Sequence, residues 1–561
     1  MSGLGRWRVN LFLVVLFLTA SLIFYRLFYL SYLRHDSFLK IADSQYRNQK
    51  ENVIRRGNIY VQDLSAGEKH LIATQKSYPY IFISARESKN TSESAKKLAD
   101  ILKISEEEAQ KLFNRKDNSF EIVEKNPSNA QLDTVKKLAL KEISVGYDEK
   151  RYFPDGSFLS QTVGFLGFSG DERVGQYGVE SFYDNQLSGK GSDASSLFPL
   201  TGAKPEARPR DGDNLVLTVD KNIQVFVQNE LNYLMKKWRP VSGTVIVEDP
   251  RDGALLAMAG SPSFDPNNYS QYRLENFVNK SVQEMFEPGS SFKPFTMSGA
   301  IDQKKVTPET TYFDSGEVDL AGYKIKNFNE KSFGVQTMKQ VLEKSLNTGA
   351  MFVEDKLGDE NFLNYVINFG FGQKSGVDLA GEAAGDVSNL YSKRKINFAT
   401  ASFGQGIAVT PLQLINGYSA LANGGKLFRP YVVKEIVKPD GEKIETKAEL
   451  IGTPISEKTS SQIKAMLVGV VENGFDKAKV KGYDVAGKTG TAQIPSKTGG
   501  YSEDFIHDIV GFAPAFSPRF VVLIKIEKPQ GIKFASDSLS PSLGKVIKFL
   551  LNYFQIPPTR Q

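Results

Sequence analysis

The sequence predicts an α/β protein of the α+β kind in three parts. These are a single apolar helix at the amino end, a mixed α/β domain, and a larger domain whose central antiparallel sheet is flanked by helices. Three observations carry that reading. One long apolar run occurs near the start, a polar proline-bearing stretch interrupts the chain near residue 210, and apolar strands stand at both ends of the remaining 350 or so residues.

The apolar run is LFLVVLFLTASLIFYRLFYLSYL, Leu11–Leu33, with Arg26 its one charge. At 1.5 Å per residue it is long enough for a hydrocarbon core of about 30 Å, and Arg26 can reach an interface. Arg6 and Arg8 precede it, so the expected orientation places the amino end in the cytoplasm and the bulk of the chain outside the cell membrane. A cleaved signal peptide is the alternative, with Thr19-Ala20-Ser21 as its small residues, but the apolar run continues past that point. The expected division is residues 1–35 as tip and anchor, 36–210 as the mixed domain, and 211–561 as the third part.

In the mixed domain Tyr80–Arg86 reads as a strand and Ser92–Ile104 as an amphipathic helix. Ser105 with Glu108 forms a capping box for the next helix. TGAKPEARPRDGD, Thr201–Asp213, has the texture of a boundary. Beyond it NLVLTVD, Asn214–Asp220, is a strand leading into a helix through Trp238. Gly243–Gly260 holds two apolar strands around Asp-Pro-Arg-Asp-Gly, a hairpin. DIVGFAP and RFVVLIKIE supply late strands, and Leu543–Phe554 a closing helix. The first and last strands are expected to meet in one sheet.

The chain has no cysteine and three histidines, His35, His70 and His507. Thiol chemistry and disulfides are excluded, no metal or cofactor is expected, and no Gly-x-Ser-x-Gly elbow accompanies the histidines. A net charge of +6 spread over 561 residues carries no nucleic-acid signature.

A nucleophile must therefore find another base. EPGSSFKPFT, Glu287–Thr296, offers one. Pro288-Gly289 is a turn, and Pro294 is tolerated only near a helix start, where backbone N–H groups lack intrahelical acceptors. Ser290 and Lys293 then lie on one face at a positive helix end. A lysine amine with a depressed pKa can take the serine proton. The bare Ser-x-x-Lys pattern also occurs at Ser37, Ser94, Ser392, Ser461 and Ser542, so its company decides. Ser345-Leu346-Asn347 and Lys488-Thr489-Gly490-Thr491 come after it in order, completing a three-motif signature.

With these motifs, and with GQGIAVTPLQL at Gly404–Leu414, the sequence resembles the class B penicillin-binding proteins over most of its length. These are membrane-anchored D,D-transpeptidases of cell-wall synthesis. The mixed domain is similar to that family's pedestal through Arg56-Gly57-Asn58-Ile59, Arg151-Tyr152-Phe153-Pro154 and Gly175-x-x-Gly178-x-Glu180. Tyr60-Val61-Gln62 stand where the family usually continues Asp-Arg, and Ser291 where threonine is commoner. The resemblance implies Ser290 as nucleophile, Lys293 as its base, Ser345 as proton relay and Asn347 as orienting group. It implies Lys488, Thr489, Gly490 and Thr491 facing a substrate carboxylate. Its implied partners are peptidoglycan stem peptides ending in D-Ala-D-Ala, β-lactams, membrane lipid and a glycosyltransferase in the membrane.

Two competing matches arise. Gly482–Thr489 satisfies the P-loop expression, but polar residues precede it and glycines come after it where a helix is required. Lys497-Thr498-Gly499 duplicates the third motif within a loop-like context. A hydrolase using the same acyl-enzyme and a β-lactam sensor are the alternative functions. The nearest acids that could activate water are Glu287 and Glu343.

Overall fold

The hairpin expected around Asp249–Gly253 forms the start of the main sheet. Ser242–Glu248 and Leu255–Ser261 pair antiparallel. The turn between them closes with Gly253 N donating to Asp249 O at 3.0 Å, while the Asp249 side chain accepts from Arg251 N at 3.0 Å. The late strands Phe520–Glu527, Tyr501–Ala513 and Ala486–Pro495 extend it, so that Phe520–Glu527 lies beside Ser242–Glu248. The hairpin strands and the late strands meet in one sheet, although the first strand of the third part is not among them. Residues 4–29, 54–84, 91–114, 120–170, 172–189, 211–328, 330–496 and 500–560 are described in this computed structural model.

Helices cover both faces of this five-stranded sheet. Lys221–Trp238 and Ala535–Tyr553 pack together on one face, with Phe226 stacked on Phe549 at 4.0 Å between ring centroids, a contact worth about 0.5–1.5 kcal/mol beyond its buried area. Asp220 caps the first of these helices by accepting from Ile223 N at 2.9 Å. On the other face lies Pro411–Ala422, every residue buried, with Lys293–Asp302 and Glu457–Gly474 beside it. A helix buried on all sides belongs inside a protein, and this one, with Gln413, Asn416 and Ser419 as its buried polar residues, is the centre of the core.

Asn214–Asp220 departs from expectation. It does not join the main sheet. It runs parallel to Ile59–Asp63 of the mixed domain, with Ile59 opposite Leu215, and antiparallel to Val433–Val437. The resulting seven-stranded sheet has the order Lys443–Glu445, Val433–Val437, Asn214–Asp220, Ile59–Asp63, Glu68–Ile83, Glu121–Glu124, with Ile143–Tyr152 also on Glu68–Ile83. Six of the seven residues of Asn214–Asp220 are buried, which requires neighbours on both sides and on both faces.

The mixed domain carries its own small core, in which Ile81, Ile83 and Ile143 of the strands meet Ala95, Leu98, Ile101 and Phe113 of the helices. Ser105 and Glu108 make the expected capping box, and Ser128 with Gln131 makes another. Nearer the main sheet, the three pedestal signatures converge on one ion network. Glu180 is fully buried and accepts from Arg56 Nε at 2.7 Å and Arg151 Nε at 2.6 Å. Arg56 also pairs with Asp184 at 2.7 Å, and Arg151 Nη1 donates to Gly57 O at 2.8 Å.

The amino-terminal helix, Leu4–Phe28, belongs to a separate unit of the chain from residues 56–188 and 212–560. Its apolar side chains from Leu11 to Leu18 are exposed. Among the described residues no helix is long and apolar enough to cross a membrane. The last residues of the expected apolar run, 30–33, lie outside the described residues, as do residues 201–210 of the expected boundary.

Candidate active site

Ser290 sits in a 3₁₀ turn, Gly289–Phe292, that runs directly into the α-helix Lys293–Asp302. Pro294 falls at the helix start, where its missing N–H costs nothing. The 3₁₀ geometry refines the expected α-helical start and matters chemically. At three residues per turn, positions i and i+3 fall on the same side, which sets Ser290 and Lys293 on one side of the turn. The turn is closed by Lys293 N donating to Ser290 O.

The GQG element supports this turn from below. Gly289 N donates to Gly404 O at 3.0 Å, and a Cβ at Gly404 would fall 2.2 Å from Gly289 O, so only glycine fits there. Gly406 N donates to Glu287 Oε1 at 3.0 Å, and Tyr418 hydroxyl, from the central helix, donates to Ser291 O at 2.6 Å.

Lys293 is 1% exposed. Its Nζ donates to Ser345 O at 2.6 Å and Asn347 Oδ1 at 2.8 Å, and lies 3.3 Å from Ser345 Oγ. Ser345 adopts φ +57°, left-handed backbone that costs a serine energy, and in this conformation both its carbonyl and its hydroxyl contact the lysine. Asn347 opens the helix Asn347–Leu357, with its Nδ2 donating to Lys326 O at 2.9 Å and its N–H to Asn327 Oδ1 at 2.9 Å. Both ends of its amide are held.

Lys488 is likewise 1% exposed and donates to Ser345 Oγ at 3.0 Å. One hydroxyl thus stands between two buried lysines. Burial, and then the Lys488 charge, hold Lys293 well below the usual lysine range. Burial lowers Lys488 to about 8, with Asp508 acting against it.

Lys488 lies on Ala486–Pro495, the edge strand of the main sheet, a continuous strand where a P-loop would need a helix. Thr489 and Thr491 line the cavity, and Thr491 Oγ1 accepts from Ala535 N at 3.1 Å, which leaves its own proton free to donate outward. Ser290, Ser345, Asn347, Lys488, Thr489 and Thr491 all line one open cavity of about 570 Å³. Gly490 faces inward, where a Cβ would fall 2.0 Å from Asp508 Oδ2 and 2.5 Å from Pro288 O. The second Lys-Thr-Gly copy, residues 497–499, lies outside the described residues.

Sequence patterns missed several members of the site. Asn327, Phe328, Phe505 and Phe534 line the cavity, with Lys533 Nζ 5.4 Å from the Phe328 ring centre. None has a local signature, because they arrive from three separate segments. His507 is buried against Ser538 Oγ at 2.8 Å and Lys533 O at 3.1 Å, and burial lowers it to about 4, so it is a neutral structural group.

A family model for the penicillin binding protein transpeptidase domain matches residues 243–548, more than half of the chain, and one for the penicillin-binding protein dimerisation domain matches residues 52–217. The chain belongs to the class B penicillin-binding proteins. Penicillin-binding proteins of this class are serine-type peptidoglycan D,D-transpeptidases. Stage V sporulation protein D of Bacillus subtilis is 34% identical, over 98% of this chain and 86% of that protein. Peptidoglycan D,D-transpeptidase FtsI of Escherichia coli K12 is 30% identical, over 77% of this chain and 72% of that one. Penicillin binding protein 3 of Mycobacterium tuberculosis, solved with aztreonam, superposes with a TM-score of 0.70 at 24% identity, covering 90% of this penicillin-binding protein and 98% of its own chain, a likeness of fold.

Proposed function

We propose that the chain cross-links peptidoglycan stem peptides through an acyl-enzyme on Ser290, with Lys293 as the base that activates it. The observation that carries this reading is the hydrogen-bond arithmetic of Lys293. A neutral amine has two protons and one lone pair. Its two shortest contacts, Ser345 O and Asn347 Oδ1, are pure acceptors and engage both protons. The lone pair is left for a hydroxyl, either Ser345 Oγ at 3.3 Å or Ser290 one 3₁₀ turn away, and we take Ser290 as the group it deprotonates.

Ser290 then attacks the penultimate carbonyl of a stem peptide ending in D-Ala-D-Ala. The backbone N–H groups of Ser290 and Thr491 receive the oxyanion, and Ser345 relays the proton from Lys293 to the departing D-Ala. Lys488, Thr489 and Thr491 hold the terminal carboxylate by charge-assisted hydrogen bonds. An amine of a second stem peptide resolves the ester. β-Lactams acylate the same serine, and a membrane glycosyltransferase supplies the glycan strands.

Hydrolysis would need a carboxylate that activates water. Glu287 has both oxygens engaged, accepting from Gly406 N and from Tyr501 hydroxyl, each at 3.0 Å. Glu343 lines the cavity but accepts from Asn473 Nδ2 at 2.9 Å. We therefore expect a penicilloyl adduct on Ser290 that persists for about tens of minutes at neutral pH, because ester hydrolysis lacks its general base. Intact-protein mass followed over hours measures it. Loss within seconds with accumulation of penicilloic acid would make the chain a β-lactamase.

We also propose the division into residues 1–35, 36–210 and 211–561, with Leu11–Leu33 as a single membrane anchor and the amino end in the cytoplasm. The uninterrupted apolar run supports it. A chain beginning near residue 36 should stay in solution without detergent and still bind penicillin. If it aggregates, the run is part of the fold and the anchor reading falls.

A further inference from the structure

Asp508 is buried to 0% exposure in the strand beside the Lys-Thr-Gly strand, directly opposite Gly490 in register. Among the described residues neither of its carboxylate oxygens has a hydrogen-bond partner. The hydroxyl best placed to help, on Ser291, donates instead to Pro288 O at 2.8 Å. A carboxylate taken from water without donors is costly, and such a group persists where charge or function holds it.

The charges around it come from each element packed on that face. Lys488 belongs to the edge strand and Lys525 to the strand on the other side, opposite Asp508 in register. Lys525 already has Glu284 at 3.5 Å, and Tyr418 approaches from the central helix. Lys488, by contrast, has no carboxylate ion partner among the described residues, so its attraction to Asp508 acts through space.

We propose that Asp508 is a positioning residue that decides which of the two buried lysines carries the proton. Its carboxylate keeps Lys488 charged and thereby leaves Lys293 as the neutral base. Two ammonium groups sharing one hydroxyl in a buried site repel, and the Asp508 charge adds to the difference that their separate hydrogen bonds already make. Asp508 lies behind Gly490, on the side of Lys488. That the residue between the two threonines is glycine has the same origin, since the Asp508 carboxylate occupies the place of its Cβ. Burial pushes Asp508 up to about 7, while the charges of Lys488 and Lys525 pull it down. Lys488 stands at about 8 with the Asp508 charge already acting on it, so without that charge it would release its proton at lower pH.

This inference rests on Lys293 being the base, and the test separates the two. The second-order rate of Ser290 acylation by benzylpenicillin is measured in the full chain from about pH 5 to about pH 10, spanning the ordinary carboxylate and lysine values. In Asp508→Asn, Lys488 loses its charge at lower pH, so the alkaline limb moves down. Lys293 loses a negative neighbour as well, so the acid limb also moves down, by less. The bell shifts to lower pH and narrows from its alkaline side, and because the one proton shared by the pair no longer prefers Lys488 its maximum falls by roughly tenfold, the loss expected for about 1.4 kcal/mol of a charged interaction. Asp508→Ser should shift and lower it in the same way if the asparagine variant folds poorly. A profile that keeps both limbs of the parent, while Lys293→Ala is inert, overturns the role of Asp508 alone. Parent-like acylation in Lys293→Ala overturns the base assignment beneath it.

Discussion

Ser290→Ala abolishes covalent labelling by a fluorescent penicillin and leaves the thermal unfolding transition nearly where it was. The expected loss in rate is on the order of 10⁶, as when the nucleophile of a comparable acyl-enzyme mechanism is removed. Stability is spared because Ser290 is only half-buried and its hydroxyl lines an open cavity, so its removal leaves no packed void. The other serines of the same pattern are placed differently. Ser94 is buried in the mixed domain and donates to Glu142 Oε1 at 2.7 Å, and Ser461 is exposed on the helix Glu457–Gly474. Neither neighbours a second motif. Retained labelling in Ser290→Ala, or its loss in Ser94→Ala or Ser461→Ala, would overturn the assignment.

Glu180→Ala should be the most destabilising single change in the mixed domain, by about 3–5 kcal/mol, the usual cost of breaking a buried ion network by removing one partner. Two guanidiniums, Arg56 and Arg151, would be left beside an empty site, with Asp184 relieving only the first. The pH dependence has a definite sign. Burial raises the Glu180 carboxyl, but Arg151 and Arg56 outweigh it and hold the group below its ordinary value. Its stabilisation is therefore complete above the unfolded value of about 4.3 and lost as pH falls through the lower folded value. Parent and variant melting temperatures should differ widely at neutral pH and converge in strong acid. A variant that melts with the parent at neutral pH would show that the network contributes nothing net.

Much of this was legible in local pattern. The hairpin at Asp249–Gly253, the capping box at Ser105, and the Ser290 turn pinned by Pro294 each depend on residues a few positions apart. The three catalytic motifs were readable for the same reason, each being a short run whose spacing fits one element. The pairing of Asn214–Asp220 with Ile59–Asp63 was not, since an apolar strand states that it needs neighbours but not which ones. Gly404 stood out as the first residue of a motif, but its role, which is to let Gly289 approach, did not. Asp508 left one faint sign, an acid at the head of the apolar run Asp508–Pro514, that gains meaning only once the edge strand places Gly490 and Lys488 beside it.

The seven-stranded sheet also shapes how the molecule comes into being. As the chain emerges amino end first, Ile59–Asp63 can pair at once with Glu68–Ile83, but its other side stays open until Asn214–Asp220 arrives. That strand in turn waits for Val433–Val437. Contacts between distant segments are slow to form, and an open strand edge meanwhile invites pairing with another chain. The last position is filled by Lys443–Glu445, three exposed residues carrying two charges, too short and too hydrophilic to recruit a further strand. Once Lys443–Glu445 is in place, that edge of the sheet offers little for a strand of another molecule to pair with.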